Sequence, residues 1–337
     1  MNEQAKQAVF EIRHLQTWFP VRKGVFKRHI GDLKAVDDVS LTVYQGETLG
    51  IVGESGCGKS TLGKSIMRLE NPTGGEVFYN FDGKYKDIMK FNSQELFQFR
   101  KRVQMVFQDP YSALNPIKRV YDSFSDPLKV HGYKDPEKRQ EMIEKALRLV
   151  NIRPDYLMRF PHEFSGGQRQ RLCIARALSV RPDVLVCDEP VSALDVSIQA
   201  QILNLMQDIQ EEMGLTYLFI THDLSVVKHL SNQIMVMYLG QVVEICDAKQ
   251  LFRAPVHPYT KALLSAIPIP DPRVKMNKIP LKGELSSPIN PKPGCRFAKR
   301  CPYATPECTA GDIPLCEVEP GHSVACIKAA QFKDAMA

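Results

Sequence analysis

Residues 48–69 read TLGIVGESGCGKSTLGKSIMRL, and this stretch decides the fold. An apolar β-like run, TLGIV, enters Gly53–Ser60, GESGCGKS, which fits G-x-x-x-x-G-K-[ST], and a helix-like STLGKSIMRL follows. Strand, glycine-rich turn and helix in that order are what a phosphate-binding loop requires. Glycines let backbone N–H groups turn inward around phosphate oxygens, and the start of the helix adds partial positive charge. Gly53, Ser55, Gly56, Cys57, Gly58, Lys59, Ser60 and Thr61 are therefore candidate nucleotide-binding residues. Lys59 would reach the β and γ phosphates and Ser60 would hold Mg²⁺.

Outward from the loop, short apolar runs (VQMVF, DVLVCDE, TYLFITH, IMVMYL) alternate with helix-like stretches as far as residue 246. That alternation predicts the α/β class, a parallel sheet covered on both faces. Ile198, Ile202, Leu205, Ile209 and Met213 recur at threes and fours, a helical core stripe. In DVLVCDEP an apolar run ends in Asp188 and Glu189. Beside a phosphate loop these acids suit nucleotide hydrolysis, Asp188 ordering Mg²⁺ and Glu189 polarising the attacking water. Between Pro110 and Phe164 the strand signal disappears and patterns such as PEKRQEMIEKALRLV predict a helical insertion.

The 337 residues, 44% hydrophobic and 24% charged, describe an ordinary soluble globular protein, and a net charge of +6 does not single out nucleic acid. The start, MNEQAKQAVFEIRH, lacks the organisation of a secretory signal, so a cytosolic chain is expected. No apolar run approaches the roughly 20 residues needed to cross a bilayer. The basic stretch VRKGVFKRHIGDLK, residues 21–34, reads as a solvated loop between two strands rather than an anionic-surface patch.

After Ser265 the composition turns to proline (IPIPDP, SSPINPKPG, CPYATP), marking a linker and an irregular module. Five of the nine cysteines fall here, spaced C-x5-C-x6-C-x7-C-x9-C from Cys295 to Cys326. In a reducing compartment clustered thiols favour metal or redox chemistry. The spacing contains no tight C-x2-C pair and by itself establishes neither zinc nor iron and sulfur. So proline-rich a segment has too little apolar content to order itself, which favours a metal centre. Cys57, Cys173 and Cys187 read as small buried residues, and Cys246 gives no functional signal.

FSGGQRQR, residues 164–171, resembles the LSGGQ signature of ATP-binding cassette (ABC) ATPases, with Phe164 in place of leucine. The rest of the family's set appears in order: VFQDP with Gln108, DEP with Asp188 and Glu189, SALD with Asp195, and ITHD with His222. The resemblance implies that Ser165, Gly166, Gly167 and Gln168 present a helix start to the γ-phosphate of ATP on a neighbouring subunit. It implies that Asp195 belongs to the dimer-facing loop and that His222 touches the γ-phosphate. Gln108 would sense Mg²⁺ and the nucleophilic water. An aromatic residue stacks on adenine in this family; Phe19 matches, Trp18 is the second choice, and a buried strand residue is the competing reading for either. One loop and one signature per chain imply a dimer with two composite sites.

The insertion in FPVRKGVFKRHIGDLKAVDDVS, the stretch HPYTKALLSAIP and the tail (LKGELSSP, PGCRFAKRCPYATPEC, PGHSVAC) look like the F-type ATPase subunits of dipeptide and oligopeptide (Opp/Dpp) importers. The resemblance implies an α/β P-loop NTPase core with an inserted helical subdomain and a small C-terminal iron-sulfur module. A 4Fe-4S cluster would sit on Cys295, Cys301, Cys308 and Cys326, with Cys316 a spare thiol or a replacement for one of the four. The implied boundaries are a core over 1–109 and 181–265, the helical subdomain over 110–180 and the extension over 266–337. The implied activity is ATP hydrolysis energising peptide import from the cytoplasmic face of the membrane. A paralogous ATP-binding subunit, two membrane permeases and an outer peptide-binding protein are the implied partners. A nickel or other small-solute importer is the alternative; an exporter motor and a soluble ATPase acting on nucleic acid or ribosomes fit the tail and the single cassette less well.

Overall fold

In the computed structural model, which describes residues 6–268, 273, 278–281, 283 and 287–334, the N-terminal segment forms a long hairpin. Parts of IPIPDP and LKGELSSP, and the first five residues, lie outside the described residues. Strand β1 (Ala8–Lys23) alternates buried Phe10 and Ile12 with more exposed neighbours and turns at Gly24 into β2 (Arg28–Tyr44). Residues 21–34 are thus mostly hairpin arms rather than a loop, though exposed as expected through Ile30.

The chain divides into two compact units. The first, called here the loop unit, comprises Gln7–Val43, Thr48–Met89 and Thr221–Ala337; the helical unit comprises Met1–Lys6, Tyr44–Glu47 and Lys90–Ile220.

In the loop unit, β3 (Thr48–Val52) leads through the glycine-rich turn into α1 (Lys59–Ile66). Strands β4 (Gly74–Phe81) and β5 (Lys84–Asp87) complete a four-stranded sheet in the order β2-β1-β4-β5. β1 and β4 are antiparallel, with Phe10 opposite Tyr79 and Ile12 opposite Val77. These side chains are buried on one face, as period-two alternation dictates. This antiparallel layer adds to the parallel sheet that the sequence predicts.

The helical unit begins with α2 (Ser93–Arg102), whose Asn92 and Glu95 form a capping box. It runs on through β6 (Val103–Val106), α3 (Pro110–Ala113), α4 (Val120–Val130), α5 (Pro136–Leu149) and α6 (Gly166–Leu178). Then come β7 (Val184–Asp188), α7 (Val196–Met213) and β8 (Thr216–Thr221). β6, β7 and β8 are parallel, Val103 pairing with Val184 and Val184 with Thr216. Every residue of β7 and β8 is buried, which is why these strands read as continuous apolar runs. In α7 the stripe buries Ile202, Leu205 and Ile209, whereas Ile198 and Met213 are half-buried.

Returning to the loop unit, α8 (Leu224–Leu230) precedes β9 (Gln233–Tyr238), which runs parallel to β3, Leu49 facing Gln233. Antiparallel β10 (Gln241–Asp247) follows, then α9 (Ala248–Arg253) and α10 (Pro258–Ser265). The tail contributes β11 (Cys316–Glu319), β12 (His322–Val324) and α11 (Ala329–Asp334), with β12 extending the sheet against β10.

The iron-sulfur expectation is corrected here. Among the described residues, no group of three or more His, Cys, Asp or Glu side chains is disposed to hold a metal ion. Cys295, Cys301, Cys308 and Cys326 line a small cavity of about 20 Å³ beside Phe297. Burial pushes the Cys295 thiol up to about 11 and raises Cys301 and Cys326 as well, so these groups are neutral near pH 7 and fill space as small apolar side chains. The tail lacks apolar content of its own but is ordered by docking. Phe297 is buried against Tyr238 and Tyr259, β12 pairs with β10, and two ion pairs (Arg296–Asp37, Arg300–Glu54) and the His322–Glu244 hydrogen bond tie it down. Cys316 is exposed on β11.

Candidate functional site

The phosphate loop is a backbone cradle that side chains at its glycines would fill. Gly58 caps α1 at φ 106°, and a Cβ there would lie 1.9 Å from Ala35 O. At Gly53 a Cβ would lie 2.2 Å from Met237 O. Only glycine fits either position, because both the backbone angle and the space exclude a side chain. Lys59 is buried, its Nζ donating to Gly53 O at 2.8 Å and to Glu54 O at 3.0 Å. The ammonium therefore lies over the start of the loop. Ser55 and Gly56 are exposed, Ser60 and Thr61 half-buried at the first turn of α1. Cys57 is buried, and burial pushes its thiol up against the opposing pull of Lys59.

Phe19 and Trp18 stand on opposite faces of β1, both half-buried. Trp18 is occupied: its Nε1 donates to Asp37 Oδ1 at 3.0 Å and Lys34 lies 4.1 Å over its ring. His222 is exposed just after β8, before Asp223, whose side chain accepts from Ser225 N at 2.8 Å to cap α8.

In the helical unit, β7 delivers Asp188 buried and Glu189 half-buried. Glu189 has φ 46°, a left-handed conformation rare outside glycine. Its N–H donates to Ile220 O at 2.9 Å, which holds the turn, and its carboxylate accepts from Gln108 Nε2 at 3.0 Å. Gln108 and Glu189, 81 residues apart, are therefore in direct contact. The Asp188 carboxylate and the Gln108 amide oxygen are oxygen ligands of the kind a hard cation such as Mg²⁺ takes.

Ser165 is the N-cap of α6. Gln168 N donates to Ser165 Oγ at 3.3 Å while Ser165 N donates to Gln168 Oε1 at 3.0 Å, a reciprocal capping box. Gly166 and Gly167 form the first turn, and a Cβ on Gly167 would lie 2.7 Å from Ile198 Cγ2. Phe164, the departure from the family's leucine, is buried and contacts Tyr156 edge-on with ring centroids 6.0 Å apart. Asp195 is exposed at the start of α7.

Residues 36–192 match the family described as ABC transporter, and residues 243–308 that described as oligopeptide/dipeptide transporter, C-terminal region. The oligopeptide transport ATP-binding protein AppF of Bacillus subtilis is 49% identical, covering 95% of this chain and 97% of its own. The chain belongs to the ABC transporter ATP-binding proteins. It is also 48% identical to the oligopeptide transport ATP-binding protein OppF of Salmonella typhimurium, over 96% of this chain and 97% of that one. A dimeric ATP-binding cassette solved in a post-hydrolysis state with ADP and Pi superposes with a TM-score of 0.61 at 28% identity, covering 71% of this chain and 98% of its own. As an ABC ATPase the chain takes ATP with Mg²⁺, and among its described residues no helix is long and apolar enough to cross a membrane.

The sequence reading misses several residues that hold this ABC phosphate loop in place: Tyr259, Gly240 and Arg300 bond to it directly, and Arg296 and Asp37 brace the turn beside it. HPYTK and GCRFAKRC mark Tyr259 and the two arginines as unusual, but nothing local links them to Gly53–Ser60.

Proposed function

We propose that this chain is the motor subunit of a peptide importer, hydrolysing ATP to energise uptake of di- or oligopeptides. The observation that carries the proposal is the glycine cradle of Gly53–Gly58 with Lys59 drawn over it, in a chain whose residues 243–308 match the peptide-transporter C-terminal region.

In this reading the loop amides and Lys59 bind the β and γ phosphates, and Phe19 stacks on adenine while Trp18 braces the strand. Ser60, Asp188 and Gln108 would hold Mg²⁺, which supplies charge screening for the phosphates. Glu189 accepts a proton from the attacking water, its carboxylate steered by Gln108. His222 donates to the charge that develops on the γ-phosphate. Ser165, Gly166, Gly167, Gln168 and Asp195 serve the nucleotide of a paralogous partner subunit, so that two chains close over two nucleotides and reopen after hydrolysis. Two membrane permeases and an outer peptide-binding protein complete the assembly, with this chain at the cytoplasmic face. The domain limits 1–109, 110–180, 181–265 and 266–337 belong to the same proposal.

The decisive experiment reconstitutes the chain with its permeases and follows ATP-driven uptake of labelled peptides. Uptake that stops in Glu189→Gln while ATP still binds is the expected result; a fall in turnover of at least about 100-fold matches loss of a general base. Unchanged turnover would remove Glu189 from the chemistry, and an assembly that moves other small solutes but no peptide would overturn the substrate.

A further inference from the structure

The stretches HPYTKALLSAIP and GCRFAKRCPYATPEC both reach the phosphate loop. Tyr259 Oη, on α10, accepts the Glu54 N–H at 2.9 Å. Arg300 Nη1 donates to both carboxylate oxygens of Glu54, at 3.1 and 2.9 Å, and to Tyr238 Oη at 3.4 Å. Arg296 donates to Leu239 O and to the Asp37 carboxylate. The Leu239–Gly240 turn beside it sends the Gly240 N–H to Cys57 O at 2.7 Å. Phe297, between the two arginines, is buried with ring centroids 5.3 Å from Tyr238 and 5.4 Å from Tyr259. The loop is thus held at residues 54 and 57 by groups drawn from 240–300.

Glu54 directly follows Gly53, so this loop carries a carboxylate next to the amides that receive a polyanion. Left to itself, that charge repels the ligand the loop is built for. The Arg300 guanidinium, only 11% exposed, takes up the carboxylate of Glu54, which is 27% exposed. A charge-assisted pair with both carboxylate oxygens engaged fixes direction as well as sign.

We infer that Arg300 is a positioning residue of the phosphate loop: it holds the Glu54 carboxylate toward the C-terminal module, cancels its charge, and thereby sets nucleotide affinity. Through this contact the C-terminal module acts on the ATP site, alongside the bracing by Arg296 and Phe297. The inference rests on the reading of Gly53–Ser60 as the ATP-phosphate site.

The test is a double-mutant cycle on the full chain, titrated calorimetrically with MgADP. Arg300→Gln weakens binding about fivefold, the scale of a partly exposed ion pair. Glu54→Gln binds as wild type or tighter, and the double variant returns to within about twofold of Glu54→Gln. Arg300→Lys, which keeps the charge, recovers most of the affinity. An equal loss from Arg300→Gln in both Glu54 backgrounds would mean that Arg300 acts only as scaffold and would overturn the inference. Should Arg300→Gln fail to fold, Glu54→Gln decides: weaker binding than wild type overturns it, equal or tighter binding supports it. A wild-type chain that binds no MgADP defeats the phosphate-loop reading instead, which separates the two failures.

Discussion

Replacing Glu244 by leucine should release the end of the chain. Glu244 is fully buried on β10, and its carboxylate accepts three bonds: from Val256 N at 2.7 Å, His257 N at 2.9 Å and His322 Nε2 at 2.8 Å. All three donor residues are at most 2% exposed, so water does not replace the lost acceptor. Orphaning a buried donor costs about 1–3 kcal/mol, which for three gives on the order of 5 kcal/mol. That is comparable to the whole stability of many domains, ~5–15 kcal/mol. The loss concentrates locally, because β12 is held to β10 by the short register Glu244 to Val324 and Ile245 to Ser323, with Ala325 N donating to Val243 O. In Glu244→Leu, amide exchange at residues 323–325 and at 256–257 should rise by orders of magnitude, with a fall in Tm. His322→Ala, which removes one donor together with its need for an acceptor, should do much less. If exchange at those amides stays at the wild-type rate and Tm falls by less than roughly 2 °C, Glu244 is not the anchor that its three bonds imply.

Gly58→Ala forces a side chain into a φ of 106° and 1.9 Å from Ala35 O, so nucleotide binding should fall by roughly tenfold or more while the helical unit keeps its exchange protection. Titration calorimetry and exchange together check it. Burial holds His257 down to about 4 from its ordinary 6.5, outweighing the opposite pull of Glu244. The unfolded chain therefore binds the extra proton between those values, so stability is complete above pH 6.5 and declines as pH falls toward 4, by on the order of 3 kcal/mol. His257→Asn keeps a side-chain acceptor at the N-cap of α10, where Tyr259 N donates to His257 Nδ1 at 3.1 Å. Denaturant titrations from pH 7 to 5 should show the wild-type slope and a flatter Asn variant; equal slopes would assign the pH dependence elsewhere.

What the sequence makes legible is what is local. TLGIV, GESGCGKS and the following helix lie side by side in the chain, and β7 and β8 declare themselves because both of their faces are buried. Strand β1 is harder to read, since its apolar alternation is broken where its pairing with β4 shifts register between Arg13 and Gln16 and His14 takes φ 50°. The left-handed Glu189 has no sequence signal at all; a carboxylate is not a residue that announces positive φ. The tail misleads for a related reason. Its proline and cysteine content suggests a segment in need of a metal, whereas its order comes from Asp37, Glu54, Tyr238 and Glu244, each far away in sequence. Motif position puts Phe19 ahead of Trp18, and the bond from Trp18 to Asp37, which position does not signal, gives Trp18 a partner within its own sheet region.

The distance between Glu54 and Arg300 also has a meaning in time. The two are separated by 246 positions, so at ~5–20 residues per second a ribosome completes the loop roughly 12–50 s before it makes the arginine that neutralises it. Through that interval the growing chain carries a phosphate loop with an uncompensated carboxylate. The groups that hold residues 54 and 57 all come from positions 240–300, so the loop takes its final form only after that segment has been made.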